Sequence, residues 1–426
     1  MDHFAYRQGE LYCENVPVCQ IAEAVGTPAY IYSKATLLHH FRQVRDGFAE
    51  VNPTICFSIK SCQNIHILQL LAQEGAGFDV VSGGELFRAR QAGADMARIV
   101  FAGVGKRDVE IEQAIKAGIG WFNVESEAEL VNLQRVAALL GATVRAALRI
   151  NPDVDPKTHT YTTTGKKETK FGVDLERAMN VFQESVRQPN VRLCGLHLHI
   201  GSPVNTVQPY VEAVTKALLF IDELRVAGFQ IEALNIGGGF GASYSTDEAP
   251  TATDYARAIV PLLHGKRLSI LTEPGRSIAA NAGILVAQVL LVKQSGERQF
   301  AIVDAAMTDL IRPALYGAYH FAWPVRPGED FCPERRGADL KLAGTVEMDI
   351  VGPVCESGDF LAKGRHLPPV QRGDYMAVFT AGAYGFVMSS QYNSRPRAPE
   401  VLVDGAAYAI IRRRETYEDL VGPEYV

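Results

Sequence analysis

Residues 55–60, Ile55-Cys56-Phe57-Ser58-Ile59-Lys60, form a short apolar run that ends in a lysine. Short runs of this kind between helical patterns are typical of buried strands. Seven similar runs follow, at Phe78–Ser82, Ile99–Gly103, Trp121–Glu125, Ala146–Asn151, Leu193–Gly201, Leu234–Gly239 and Leu268–Gly275. Eight strand-and-helix units in succession predict a (β/α)8 TIM-like barrel.

A doubly wound open sheet would produce the same alternation of strands and helices. That fold rarely needs eight consecutive units, and the first run is not followed by the Gly-x-Gly-x-x-Gly turn of dinucleotide-binding sheets. The barrel is therefore favoured over the open sheet.

After about residue 285 the pattern changes to strands and turns, which predicts a second, all-β domain. The predicted strands are Ile284–Lys293, Phe300–Asp304, Leu342–Val351, Tyr375–Phe379 and Glu400–Val403. We expect the barrel to span residues 25–280 and the β domain to span residues 281–426, with residues 1–24 joined to the β domain.

Composition and charge exclude several classes of protein. The 42 basic and 48 acidic residues give a net charge of −6 and are spread along the chain, so no basic stripe for nucleic acid is expected. The sequence shows neither a signal peptide nor an apolar run long enough for a membrane span, which predicts a cytoplasmic protein. The seven cysteines lack CxxC or Cys/His spacing, so we expect neither a disulfide framework nor a bound metal.

The ends of the predicted strands carry polar residues, and in a barrel these ends meet at one mouth. Lys60 closes the first strand, where a charged lysine is costly unless it is bonded or neutralised. An imine would remove that charge, but a lysine that points outward as a strand terminator is an equal alternative at this residue.

Other strand ends add to the pattern. Gly237, Gly238 and Gly239 follow the seventh strand, where they let backbone N–H groups approach an anion or simply form a tight turn. Glu273 and Gly275 end the eighth strand. His197 and His199 face one side of the sixth strand, where packing or ring stacking is favoured over metal binding because no third ligand is evident.

Lysine, histidine, glycines and a carboxylate around one mouth are what pyridoxal 5′-phosphate requires. The cofactor needs an imine lysine, a group on its ring face, a phosphate cradle and a partner for its pyridine nitrogen. A carboxylate partner makes the ring a strong electron sink, which suits decarboxylation better than racemisation.

The residues resemble a known family, the barrel-type (fold type III, alanine racemase-like) pyridoxal phosphate decarboxylases, and most closely the diaminopimelate decarboxylase family. The similarity runs over nearly the whole chain. It rests on residues 57–60, 79–86, 197–202, 237–239, 273–276, 312–316, 355–359, 382–385 and 392–397.

This resemblance implies decarboxylation of meso-2,6-diaminopimelate to L-lysine and CO2 in lysine biosynthesis, by a homodimer with shared active sites. It implies that the cofactor is bound by Lys60, Asp79, His199, Ser202, Gly237, Gly238, Gly239, Glu273, Gly275, Arg276 and Tyr384. It further implies that the substrate is bound by Arg276, Arg312, Tyr316, Glu356 and Tyr384. Lys60, His199 and the proton donor Cys355 are the implied catalytic residues, and Cys355 and Glu356 are expected to serve the partner's barrel.

Two positions depart from the family motifs: Cys62 stands where asparagine is usual and Pro203 where glutamine is usual. They leave room for a related decarboxylase that acts on ornithine, lysine, arginine or a conjugated amino acid. A pyridoxal phosphate-binding protein without turnover and a racemase are further alternatives. The presence of Lys60, Cys355 and Glu273 speaks against both.

Overall fold

The computed structural model describes residues 2–155, 170–245 and 249–426. The chain divides into two compact units. Unit 1 comprises Met1–His39, Ser243–Glu248 and Ile278–Val426, and unit 2 comprises His40–Ala242 and Ala249–Ser277.

The strands, in chain order, are β1 Phe4–Arg7, β2 Glu10–Cys13, β3 Val16–Pro17, β4 Ala29–Ser33, β5 Thr54–Ser58, β6 Gly77–Val80, β7 Ile99–Phe101, β8 Trp121–Val124, β9 Val144–Asn151, β10 Val173–Asp174, β11 Val191–Leu198, β12 Ala233–Asn235, β13 Ser269–Thr272, β14 Gly283–Ser295, β15 Arg298–Val303, β16 Ala322–Pro324, β17 Val346–Val351, β18 Phe360–Leu367, β19 Tyr375–Val378, β20 Glu400–Asp404 and β21 Ala407–Arg412. The helices are α1 Val18–Val25, α2 Lys34–Gly47, α3 Ile65–Gln73, α4 Gly83–Gln91, α5 Asp108–Ala117, α6 Glu127–Leu139, α7 Leu175–Ser185, α8 Gln208–Val226, α9 Ala252–Leu263, α10 Arg276–Ala279, α11 Arg312–Tyr316 and α12 Tyr417–Val421.

Unit 2 is a closed barrel of eight parallel strands. The strands pair in the order β5, β6, β7, β8, β9, β11, β12 and β13, and β13 pairs with β5 to close the ring. One of the helices α3 to α9 lies between each strand of the ring and the next. All eight predicted strands are confirmed, and the closure excludes the open sheet.

Apolar side chains fill part of the barrel interior. Trp121, the first residue of β8, packs beside Gly195, where an added Cβ would lie 3.0 Å from Ala147 Cβ and 3.2 Å from Trp121 Cζ3. The indole therefore fits because Gly195 has no side chain. The buried cluster consists of Cys56, Val100, Trp121, Ala147, Cys194, Ala233 and Leu271.

Unit 1 is built on β strands. One sheet has the order β18, β17, β15, β14, β4, β20 and β21, with β19 also paired to β14 and β16 paired to β19, and a small sheet joins β1, β2 and β3. The five predicted strands are confirmed, whereas β16, β18 and β21 were not predicted. Residues 25–39, included in the predicted barrel, lie in unit 1 because the wholly buried strand β4 is hydrogen-bonded to β14 and β20.

The seven cysteines form no disulfide within the described ranges. Of the helices in the described parts of the chain, none is long and apolar enough to cross a membrane.

Candidate active site

Lys60 and Asp79 form an ion pair at the carboxyl ends of β5 and β6. Lys60 lies in a single 3-10 turn, Ile59–Ser61, directly after β5, and its Nζ donates to Asp79 Oδ2. The same oxygen accepts a hydrogen bond from Ser58 Oγ at 2.6 Å. Burial raises the pKa of Asp79 above its usual range, although the nearby Lys60 ammonium opposes this shift. Asp79 Oδ1 is buried without a hydrogen-bond partner among the described residues.

Glu273 follows β13 and is only 4% exposed. Its Oε1 accepts hydrogen bonds from Asn123 Nδ2 at 2.9 Å and Asn235 Nδ2 at 2.6 Å, while its Oε2 lies 3.3 Å from His197 Nε2. Burial alone would raise the pKa of Glu273, but His197, Lys60 and Asn235 outweigh it and the pKa falls well below its usual range. Glu273 is therefore an ionised carboxylate inside the barrel.

The two histidines of the sixth barrel strand occupy different environments. His197 is buried against Glu273. Burial, together with the cations Arg149 and Lys60, holds the pKa of His199 well below its usual range. His199 is thus a neutral imidazole at neutral pH, which can stack on a flat ring without adding charge.

The glycine segment after β12 packs so closely that it tolerates no side chain. A Cβ on Gly237, Gly238 or Gly239 would lie 2.0 to 2.1 Å from a backbone oxygen of a neighbouring segment. Gly237 and Gly239 also have positive φ angles of 70° and 98°, which favour glycine. A segment without side chains lets an anion such as phosphate approach the backbone closely.

Gly275 and Arg276 follow β13 beside this segment. A Cβ on Gly275 would lie 2.8 Å from Ser61 Oγ, so this glycine is also required by close packing. Arg276 is 5% exposed, and its Nε donates to Ser202 Oγ at 3.2 Å. The barrel thus brings Lys60, Asp79, His199, Ser202, Gly237, Gly238, Gly239, Glu273, Gly275 and Arg276 together at one end.

The buried ion pair of Arg149 and Glu125 in the barrel was not predicted. Arg149 Nη1 in β9 donates to Glu125 Oε2 at 3.0 Å just after β8, and Arg149 Nη2 lies 3.4 Å from the His199 carbonyl oxygen. The pair lowers the pKa of His199 through Arg149. The sequence carried one sign of this pair: the apolar run Trp121–Glu125 ends in an acidic residue.

The remaining candidate residues lie in unit 1. Arg312 and Tyr316 share α11, where Arg312 is 7% exposed and its guanidinium carbon lies 5.9 Å from the centre of the Tyr316 ring. Cys355 and Glu356 are exposed, and the Cys355 amide donates to Asn393 Oδ1 at 3.1 Å. Tyr384 lies in the segment after β19 with a φ of 57°.

The barrel residues fit pyridoxal 5′-phosphate. The unpartnered Asp79 Oδ1, the side-chain-free glycine segment and the ionised Glu273 are three separate features that a phosphorylated pyridine could use. Among the described residues, no group of His, Cys, Asp and Glu side chains is arranged to hold a metal ion.

Known proteins agree with this chemistry. The profile of the family described as "Pyridoxal-dependent decarboxylase, pyridoxal binding domain" matches residues 34–280. A curated diaminopimelate decarboxylase from Pseudomonas aeruginosa is 46% identical over 424 residues, covering 100% of this chain and 99% of the relative. One from Aquifex aeolicus is 45% identical over 422 residues, covering 99% of this chain and 97% of the relative.

Solved structures are similar as well. The crystal structure of diaminopimelate decarboxylase from Helicobacter pylori, complexed with L-lysine, superposes with a TM-score of 0.89 at 40% identity. The match covers 95% of this chain and 98% of that one. The chain therefore belongs to the pyridoxal-dependent decarboxylases and, within them, to the diaminopimelate decarboxylase family.

Proposed function

We propose that this protein decarboxylates meso-2,6-diaminopimelate to L-lysine and CO2, with pyridoxal 5′-phosphate as its cofactor. The observation that carries the proposal is the ionised carboxylate of Glu273 within the same barrel mouth as Lys60, in a chain of this family. When bound, the cofactor supplies an electron sink for the electron pair that remains on the α-carbon of the substrate as CO2 departs.

The barrel residues hold and orient the cofactor. Lys60 attaches it covalently, and Asp79 holds the lysine nitrogen at the end of β5. Glu273 keeps a proton on the pyridine nitrogen because its own charge is stabilised by Asn123, Asn235 and His197. His199 would stack on the ring face of the bound cofactor. The phosphate is received by Ser202, Gly237, Gly238, Gly239, Gly275, Arg276 and Tyr384.

The substrate is recognised by its distal amino-carboxylate. Arg276, Arg312 and Tyr316 bind the distal carboxylate, and Glu356 binds the distal ammonium, with Tyr384 also beside the substrate. Cys355 returns a proton to the α-carbon after CO2 has left. A planar guanidinium beside an acid suits such an end group, whereas simple diamine precursors would not need the arginines.

We also propose the assembly and location. The protein acts in the cytoplasm as a homodimer in which Cys355 and Glu356 of one chain serve the barrel of its partner. Its ligands are small amino acids, and neither nucleic acid nor membrane is a partner.

Substrate choice is the direct test. The holoenzyme should release CO2 from meso-diaminopimelate at least about a hundredfold faster than from lysine, ornithine or arginine, because each of these lacks the second amino-carboxylate, a difference of about 3 kcal/mol in barrier. Lys60→Ala is the inactive control. A preference for any of the other three amino acids would replace the proposed substrate, and no CO2 from any of them would favour a binding protein without turnover.

The attachment site has an internal control in the same barrel. Borohydride reduction followed by peptide mapping should find the cofactor on Lys60 and not on Lys106, whose side chain is 2% exposed and donates to the carbonyl oxygens of Gly103 and Asn123. Label on another lysine, or none, would refute the assignment of Lys60.

A further inference from the structure

A buried histidine contacts the arginine that we assign to the substrate carboxylate. Arg312 Nε donates to His320 Nε2 at 3.3 Å, and His320 is fully buried in unit 1. The Tyr244 ring lies edge-on to His320 with a centroid distance of 5.3 Å, and its centre lies 5.1 Å from the guanidinium carbon of Arg312.

The second ring nitrogen of His320 determines its tautomer. His320 Nδ1 lies 2.9 Å from the backbone carbonyl oxygen of Phe379. A carbonyl only accepts, so Nδ1 must carry the proton. Arg312 Nε–H only donates, so Nε2 must carry the lone pair. Both contacts are satisfied by one neutral tautomer of the imidazole.

The sheet of unit 1 fixes the other end of this chain of hydrogen bonds. His320 comes two residues before β16, and Phe379 comes directly after β19, which pairs with β16 in antiparallel register. The Phe379 amide donates to the Phe321 carbonyl oxygen at 2.8 Å. The Phe379 carbonyl oxygen therefore has a position set by two paired strands.

We propose that His320 is a positioning residue that orients Arg312 for the distal carboxylate of the substrate. The inference rests on the proposed function, because Arg312 has that role only there. Since Arg312 Nε–H is engaged by His320, a two-point contact with a carboxylate uses the two Nη atoms, in an end-on geometry. His320 thereby selects one approach direction for the carboxylate, and it acts through Arg312.

Two amide substitutions separate the two hydrogen bonds of His320. The His320→Asn amide reaches the position of Nδ1 and keeps a donor for Phe379 but not an acceptor for Arg312. The His320→Gln amide reaches the position of Nε2 and keeps an acceptor for Arg312. His366→Phe, on β18 in the same unit, is the control for loss of another histidine, whose Nε2 lies 3.8 Å from Glu347 Oε2.

The readout is the inhibition constant of two product-like amines. L-lysine keeps the distal amino-carboxylate, and cadaverine lacks it. For His320→Asn, we expect the L-lysine constant and the KM for meso-diaminopimelate to rise about tenfold, as for loss of a bond to a charged group. The cadaverine constant and cofactor content should stay unchanged. His320→Gln should remain within about threefold of the wild type, because it restores the acceptor.

The outcomes are distinguishable from failure of the proposed function. Arg312→Lys should weaken the binding of L-lysine at least as much as His320→Asn does. A lysine ammonium is a point charge and cannot make the two-point contact of a guanidinium with a carboxylate. If Arg312→Lys weakens L-lysine but His320→Asn does not, or if the Gln and Asn variants are equal, the role of His320 is refuted. If Arg312→Lys has no effect, the substrate role of Arg312 fails first. Loss of folded holoenzyme in both His320 variants would assign His320 to the fold and also refute the proposal.

Discussion

Glu273 and Asp79 are both buried carboxylates at the carboxyl ends of barrel strands, yet their pKa values move in opposite directions. Burial raises the pKa of each. At Glu273, the nearby His197, the Lys60 ammonium and the Asn235 amide together outweigh the burial. At Asp79, Lys60 and the hydrogen bond from Ser58 lower the pKa, but the charge of Glu273 raises it. The neighbours of Glu273 thus lower its pKa despite burial, whereas burial dominates at Asp79 and raises its pKa.

Asp309 gives a residue-scale prediction for stability against pH. Its Oδ2 accepts a hydrogen bond from the Ala306 amide at 2.9 Å, but burial raises the pKa of Asp309 to about 6. The unfolded carboxyl titrates near 3.8. Between these values the unfolded state has lost a proton that the folded state keeps, so stability falls as pH rises from about 4 to about 6. The loss is about 3 kcal/mol.

Asp309→Asn should abolish that loss, because an amide keeps an acceptor for Ala306 and does not ionise. Thermal unfolding at pH 4 and pH 8 is the measurement. The Tm of the Asn variant, relative to wild type, should be higher by several degrees at pH 8 than at pH 4. The exposed Asp330→Asn is the matched control. A Tm difference independent of pH would contradict the prediction.

Some site residues could be predicted from the sequence and others could not. Lys60 and Glu273 end apolar runs, and the barrel geometry alone places such ends at one mouth. Asn123 and Asn235 lie inside strands and bond to Glu273 across 150 and 38 residues of chain, so the local pattern carries no sign of their partner. The hydrogen bond between Arg312 and His320 could not be predicted for a different reason, because it depends on the pairing of β16 with β19.

At the scale of elements, the turn after β12 depends on the absence of one Cβ. In Gly238→Ala, the new Cβ would lie 2.0 Å from the backbone oxygen of Glu273. A backbone atom cannot move aside as the end of a flexible side chain can. We expect cofactor affinity to fall at least about tenfold and stability to fall by about 1 to 3 kcal/mol, as for overpacking of a tight site. Titration of the apoprotein with pyridoxal phosphate and thermal unfolding measure the two effects.

Gly105→Ala is the matched control for that turn, because an added Cβ there meets nothing within 4 Å and the residue has an ordinary φ. It should leave both affinity and Tm near wild type. Equal behaviour of the two variants would show that the turn after β12 moves freely and that its glycines are not needed for close packing.

Strand β4 shows why element membership is harder to predict than element type. Ala29-Tyr30-Ile31-Tyr32-Ser33 precedes α2 just as a barrel strand precedes its helix, so the local pattern favours the barrel. In the structure its partners are β14 and β20, more than 240 residues away, and it runs parallel to β20. Pairing over such distances is decided by packing of the whole unit and leaves no periodic signal.

At the scale of the whole molecule, the proposed sharing of active sites makes a prediction about mixed dimers. A Lys60→Ala chain lacks the attachment lysine, and a chain with Cys355→Ala and Glu356→Ala lacks the residues proposed to serve the partner. Each should be nearly inactive alone. Mixed under conditions of subunit exchange, half of the dimers become heterodimers, in which one site collects every lesion and the other none.

With random pairing, roughly a quarter of full activity should return, because one site in two is intact in half of the dimers. Exchange is verified separately, by native mass spectrometry of chains with different tags. If sites were complete within single chains, each site would keep one lesion and mixing would restore nothing. No recovery despite demonstrated exchange would therefore remove Cys355 and Glu356 from the partner's site, and proton return would have to come from a group of the same chain.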